Sequence, residues 1–140
     1  MKKTTGNLLD ILKSATSIDD YFKKVEDNMI NTSLAEELNN IILNKNLKTS
    51  KLFSEANIDR SYGYDILNNK KHPSRNKLLA LLFAMHLSDD EVQTLLKTTG
   101  YPQLYAKDTR DSIILFAFHN NYSLDQVNDA LYDMGFETLS

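Results

Sequence analysis

Apolar residues recur along this chain at steps of three and four, and β-branched clusters with period-two alternation are absent. That spacing gathers the apolar positions on one side of an α-helix, so the pattern predicts an all-α protein. Helices are expected at 7–15, 18–30, 33–45, 49–56, 60–69, 74–86, 89–99, 109–120 and 124–134. Four of the predicted starts carry a capping box: Ser17-Ile-Asp-Asp20, Ser33-Leu-Ala-Glu36, Ser88-Asp-Asp-Glu91 and Ser123-Leu-Asp-Gln126. In such a box the hydroxyl accepts from an early amide, and the acid or amide three residues on returns to the cap's own N–H. Gly100-Tyr101-Pro102 stops the helix at 89–99, because glycine suits a left-handed stop and proline cannot propagate it.

The predicted core draws on Leu38, Ile41, Ile42, Leu52, Phe53, Ile58, Ile66 and Leu67, and on Leu78, Leu79, Leu82, Val92, Leu95 and Leu96. Ile114, Leu115, Phe118, Val127 and Leu131 complete it. Ile113 to Phe118 make the eighth helix apolar nearly all round, which predicts burial on more than one face. In the last helix Asp125, Asp129 and Asp133 fall on one side, and Val127, Leu131 and Met134 on the other. Connections are short throughout, so the expected organisation is one compact domain. Within it, 1–32 form an N-terminal helical extension, 33–99 a central unit, and 100–140 a C-terminal extension packing on the same core.

Composition narrows the chemistry. The chain has 140 residues, four glycines, two prolines and no cysteine, which excludes disulfides, thiolate metal sites and thiol nucleophiles and suits a reducing cytoplasm. No apolar run approaches the roughly 20 residues of a membrane span, and the N-terminal run is broken by Asp10 and Lys13, unlike a signal peptide. His72, His86 and His119 stand apart with no ligand or nucleophile spacing, and no Gly-rich phosphate loop occurs. The paired acids Asp19-Asp20 and Asp89-Asp90 sit at helix starts, where the dipole favours them. Neither catalysis, nor a metal, nor a cofactor is expected.

Charge is unevenly placed. Residues 45–77 hold eight Lys or Arg against three acids, net +5, although the whole chain nets −3. A local positive face is what phosphate contacts need, and an acidic remainder repels DNA elsewhere.

The same segment carries a motif order. Two short helices with a tight polar break lead into Asn69-Lys-Lys-His-Pro-Ser74, and a long apolar helix follows. From Leu47 to Ser88, without a gap, this resembles the lambda-repressor/Cro-like (Xre-type) helix-turn-helix family of DNA-binding domains. Leu47 and Leu52 match that family's leucine positions and Ile58 the apolar residue after its turn. The 69–74 turn is similar to its Gly-Lys-Arg-Asn-Pro-Ser, and Leu78-Leu79 with Met85-His-Leu-Ser88 to its closing helix. With flanking helices the resemblance covers about residues 33–99. It implies a lambda-repressor-like domain with added N- and C-terminal helices, acting as a sequence-specific transcription regulator on double-stranded DNA.

On that resemblance the helix at 60–69 reads the major groove, with Asp59 as its N-cap. Arg60, Ser61, Tyr64 and Asp65 would meet bases. An arginine fork on guanine discriminates by about 1–3 kcal/mol. Thr49, Ser50, Tyr62, Asn68, Lys70, Lys71 and Arg75 would meet phosphates. Two-fold operators call for a homodimer. Three departures from the family pattern stand out. Asn57 replaces the turn glycine and tolerates a left-handed backbone. Phe53 and Gly63 exchange sizes at facing positions, with the ring expected to fill the space the glycine vacates. Asp59 and Asp65 place negative charge on the reading helix. The rival expectation is a protein-interaction module, an antitoxin or adaptor, that keeps the fold and holds a partner through the acidic last helix or the 101–110 loop.

Overall fold

The computed structural model describes residues 33–140; the predicted helices at 7–15 and 18–30, the Ser17 box and the 1–32 extension lie outside the described residues. Among the described residues the fold is all-helical. It comprises α1 (Leu34–Asn44), α2 (Thr49–Glu55), α3 (Arg60–Leu67), α4 (Arg75–Ala84), α5 (Asp89–Thr98), α6 (Thr109–His119) and α7 (Leu124–Asp133). Each predicted helix from residue 33 onward is present, one or two residues shorter at its ends.

At the starts Ser33 and Ser74 stand outside as caps, and the C-terminal shortening has one physical cause. Every described helix is followed by a residue in the left-handed region: Asn46, Asn57, Asn69, His86, Gly100, Asn121 and Gly135. Asparagine tolerates this conformation better than other residues with a β-carbon, so four glycines suffice for a chain of many turns. At most of these stops the next residue is apolar and its amide reaches back five residues. Leu47 donates to the Ile42 carbonyl at 2.9 Å, Ile58 to Phe53 at 3.0 Å, and Phe136 to Leu131 at 2.8 Å. After α3 the sealing residue is Lys70 instead. There the stop presents a charge where those three present a hydrophobe.

Helix starts follow the predicted caps. Ser88 and Ser123 form complete capping boxes with Glu91 and Gln126, while the Ser33 hydroxyl accepts from the Glu36 amide alone. Asp59, Ser74 and Asp108 cap α3, α4 and α6 through their side chains, whereas α2 begins at Lys48 with no side-chain cap.

Packing centres on α4, where every residue from Leu78 to Met85 is buried. Helices α2 and α7 both lie against it, α1 and α2 pack on α3, and α6 packs between α5 and α7. Removing such a leucine from water contributes about 1.5–3 kcal/mol. Stacked rings of Phe83 and Phe118, 3.7 Å between centroids, join α4 to α6. The C-terminal extension thus shares one apolar cluster with the central helices, through Leu104, Ile114, Val127, Leu131 and Leu139.

Three expectations are corrected here. Helix α6 is not buried all round: Asp111, Ile114, Ala117 and Phe118 turn inward at helical spacing, and Phe116 is 58% exposed. Met134 falls at the end of α7 and faces solvent rather than the core. Ile41, Ile42 and Leu115 pack on the core only partly buried.

Candidate nucleic-acid interface

Helix α3 begins at Asp59, whose carboxylate accepts from the amides of Ser61 (3.1 Å) and Tyr62 (3.3 Å). The cap turns this acid into the helix start, where the macrodipole favours it. Arg60 and Ser61 follow on the exposed side. One turn on, Tyr64 is 37% exposed and lies under the Arg60 guanidinium, whose carbon is 5.8 Å from the ring centre. The Tyr64 hydroxyl shares a hydrogen bond with the Thr49 hydroxyl at 3.1 Å. Bonding to Thr49, and then the nearby Arg60, lowers the tyrosine's pKa below its ordinary value.

The position of Tyr64 traces back to a glycine. Gly63 is buried, and the Phe53 ring of α2 fills the space where its β-carbon would be. Phe53 then meets Tyr64 edge-on, with centroids 5.2 Å apart. The predicted size exchange is present, and it brings Thr49, Arg60 and Tyr64 together on one surface between α2 and α3. Ser50 is exposed beside Thr49. Asp65 is half-buried and makes no ion pair among the described residues, while its main-chain carbonyl accepts from the amides of Lys70 and Lys71 at 2.8 and 3.2 Å.

Beyond α3, Asn68 is the C-cap and Asn69 takes the left-handed turn. Asn68, Lys70 and Lys71 are exposed. No carboxylate among the described residues pairs with Lys48, Lys70, Lys71 or Arg60, whereas Lys45 pairs with Glu91 and Lys51 with Glu55. Tyr62 is half-buried against the core, its ring beneath the Lys77 ammonium at 5.2 Å. That packing turns it away from Tyr64.

Arg75 does not join this surface. Its guanidinium grips Asp111 in a two-bond fork at 3.1 Å each and also donates to the carbonyls of Pro102 (3.1 Å) and Gln103 (2.9 Å). A guanidinium committed to four acceptors is not available to a phosphate, so the expected phosphate contact at Arg75 is withdrawn. Burial opposes the charge on Asp111, but bonds from Arg75 and from the Tyr105 amide outweigh it and hold the carboxyl below its ordinary range.

Sequence reasoning missed this joint, because thirty-six residues separate its partners. One signal was legible: a helix stop followed at once by Tyr-Pro returns the chain toward the molecule. The 101–110 loop is therefore mostly structural. Tyr101 donates to the Pro73 carbonyl, Leu104 is buried, and the Gln93 side chain bonds both the amide and the carbonyl of Leu104. Only Tyr105, 60% exposed, projects from it as a large apolar side chain. Asp125, Asp129 and Asp133 on α7 are all exposed. Among the described residues no group of three or more His, Cys, Asp or Glu is placed to hold a metal ion, and no helix is long and apolar enough to cross a membrane. Compared with protein-family models, curated proteins and solved structures, the chain matches none, and its functional reading stands on these side chains.

Proposed function

We propose that this protein is a sequence-specific, double-stranded-DNA-binding transcription regulator of the Xre helix-turn-helix type. Helix α3 would read the major groove and α2 would brace it. The observation that carries this reading is the single exposed surface on which Arg60, Ser61, Tyr64 and Thr49 converge, next to the paired lysines of the 70–71 turn. Arg60 and Ser61 would address base edges, Tyr64 a thymine methyl or a phosphate, and Lys70 and Lys71 the backbone. Asp59 is engaged as a cap and so repels phosphate less than its position on the helix suggests. The mechanism is occlusion or recruitment at an operator, not catalysis, with a homodimer on a two-fold site and the cytoplasm as its compartment.

Selection of duplexes from a random pool at about 0.15 M salt tests this directly, because counterion competition suppresses weak contacts. Enrichment of one motif, palindromic for a dimer, is the expected result. A pool that stays random sinks the reading.

A second reading has its own support. Phe116, Tyr132 and Met134 of the C-terminal segment are 58, 76 and 61% exposed, against 37% for Tyr64 on α3. This favours a partner-binding module, an antitoxin or adaptor, which would be captured with its partner and show no duplex preference.

A further inference from the structure

The turn that leaves α3 is held from two directions. On the α3 side, the Asp65 carbonyl accepts from the amides of Lys70 and Lys71. On the other side, the chain beyond Gly100 comes back to meet it. Gly100, at φ 85°, turns the backbone after α5, and the Tyr101 hydroxyl donates to the Pro73 carbonyl at 2.6 Å. The Tyr101 ring stacks on His72, with centroids 4.9 Å apart and planes within 14°. Burial pushes the Tyr101 pKa up to about 12, so the hydroxyl keeps the proton it donates.

Two residues further along, Arg75 is fixed by the Asp111 fork and by the carbonyls of Pro102 and Gln103. Asp111 is itself oriented: it accepts from the Tyr105 amide at 2.9 Å, and its own amide donates to the Asp108 cap at 2.9 Å. Side-chain exposures of 24% for Arg75 and 11% for Asp111 keep water from competing for the fork. The stack, the Pro73 bond and the fork all end on residues 72–75, directly after the two exposed lysines.

We infer that Tyr101 and Asp111 are positioning residues for Lys70 and Lys71, holding the main chain of the 70–75 turn through the Pro73 carbonyl and the Arg75 guanidinium. This rests on the DNA reading proposed above and deepens it. The C-terminal extension then sets where two phosphate-facing ammonium groups stand without touching DNA itself. Ordering two lysine main chains before binding leaves less conformational freedom to lose on the duplex.

The test uses the full chain and a mixed-sequence duplex of about 20 base pairs, with affinity measured from roughly 0.05 to 0.3 M salt. Asp111→Asn and Tyr101→Phe should each flatten the log–log salt slope, by about 0.9 for every phosphate that a lysine no longer neutralises. The amides of Lys70 and Lys71, which bond the Asp65 carbonyl, should exchange with solvent faster in both variants. Leu131→Ala, a core change in α7, serves as the stability control: it should lower the melting temperature and leave the slope alone. A lower melting temperature with an unchanged slope in the Asp111 and Tyr101 variants overturns the inference, since that is a merely structural role. Should Asp111→Asn fail to fold, Tyr101→Phe, which removes one hydroxyl, decides alone. Wild-type protein that binds no duplex at any salt would fail the DNA reading itself and this inference with it. Wild-type binding with wild-type slopes in both variants fails the inference only.

Discussion

A β-carbon on Gly63 would lie 2.6 Å from the ring of Phe53, closer than such atoms approach in folded proteins. The glycine costs its helix roughly 0.5–1 kcal/mol relative to alanine, and the ring that enters is the compensation. Gly63→Ala should therefore destabilise the protein by about 1–3 kcal/mol in urea or thermal unfolding, despite its better helix propensity. Gly63→Ile should be worse, and an isoleucine variant more stable than wild type would sink the size exchange. Phe53→Ala alone should cost about 3–5 kcal/mol. On that background Gly63→Ala should turn neutral or stabilising, which a double-mutant cycle reads as coupling between the pair.

Arg60 and Lys70 are expected to fail differently. Arg60→Ala should erase discrimination between the selected duplex and its variants, a loss of about 1–3 kcal/mol at the base it reads. Lys70→Ala should weaken every duplex alike and flatten the salt slope by about 0.9. Binding titrations against matched and mismatched duplexes separate the two. Equal losses on all sequences from both changes would remove Arg60 from base reading.

The left-handed stop at Asn121 follows α6, outside the candidate interface, and tests the helix-end chemistry. Its φ of 55° favours glycine. Asn121→Gly should be neutral or slightly stabilising, whereas Asn121→Val should cost about 1–2 kcal/mol, since a β-branched side chain meets the following carbonyl. Thermal melts of the two variants should bracket the wild type from opposite sides, or with glycine level.

Asp111 gives the fold a pH dependence whose sign can be worked out. Its carboxyl sits below the ordinary range in the folded protein, so protons bind the unfolded chain more readily. The stabilisation is complete above the ordinary carboxylate pKa and drains away as pH falls through the lower folded value. Asp111→Asn should lower stability at neutral pH and flatten the acid limb of a stability–pH curve. An acid limb identical to wild type would show that other carboxylates set it.

Much of this was legible in local sequence because helices are local objects. Caps such as Ser88 and Ser123 announce themselves within four residues, whereas the facing of Phe53 and Gly63 was legible only through the helix-turn-helix resemblance. The grouping of Arg60 with Tyr64 is likewise one helical turn. What escaped lay between distant segments. Nothing near Arg75 marks it as the partner of Asp111 rather than of a phosphate, because exposed and interior arginines share the same flanking pattern. Helix α6 misled for a related reason. Its apolar composition is uniform, and only packing decides that Phe118 turns inward while Phe116 does not.

The described helices run only seven to eleven residues each. Segments of that length do not hold a helix in water, since nucleation outweighs the few bonds gained. The eight residues of α3 therefore have no independent existence as a reading head: a peptide copying Asp59 to Asn69 would be a coil, and grafting it elsewhere would transplant side chains without their geometry. Whatever this surface binds, it binds the cooperative state of the whole assembly of helices. Affinity and folding are then two readings of one equilibrium, and heating any variant through its melting transition should remove the site in step with the fold.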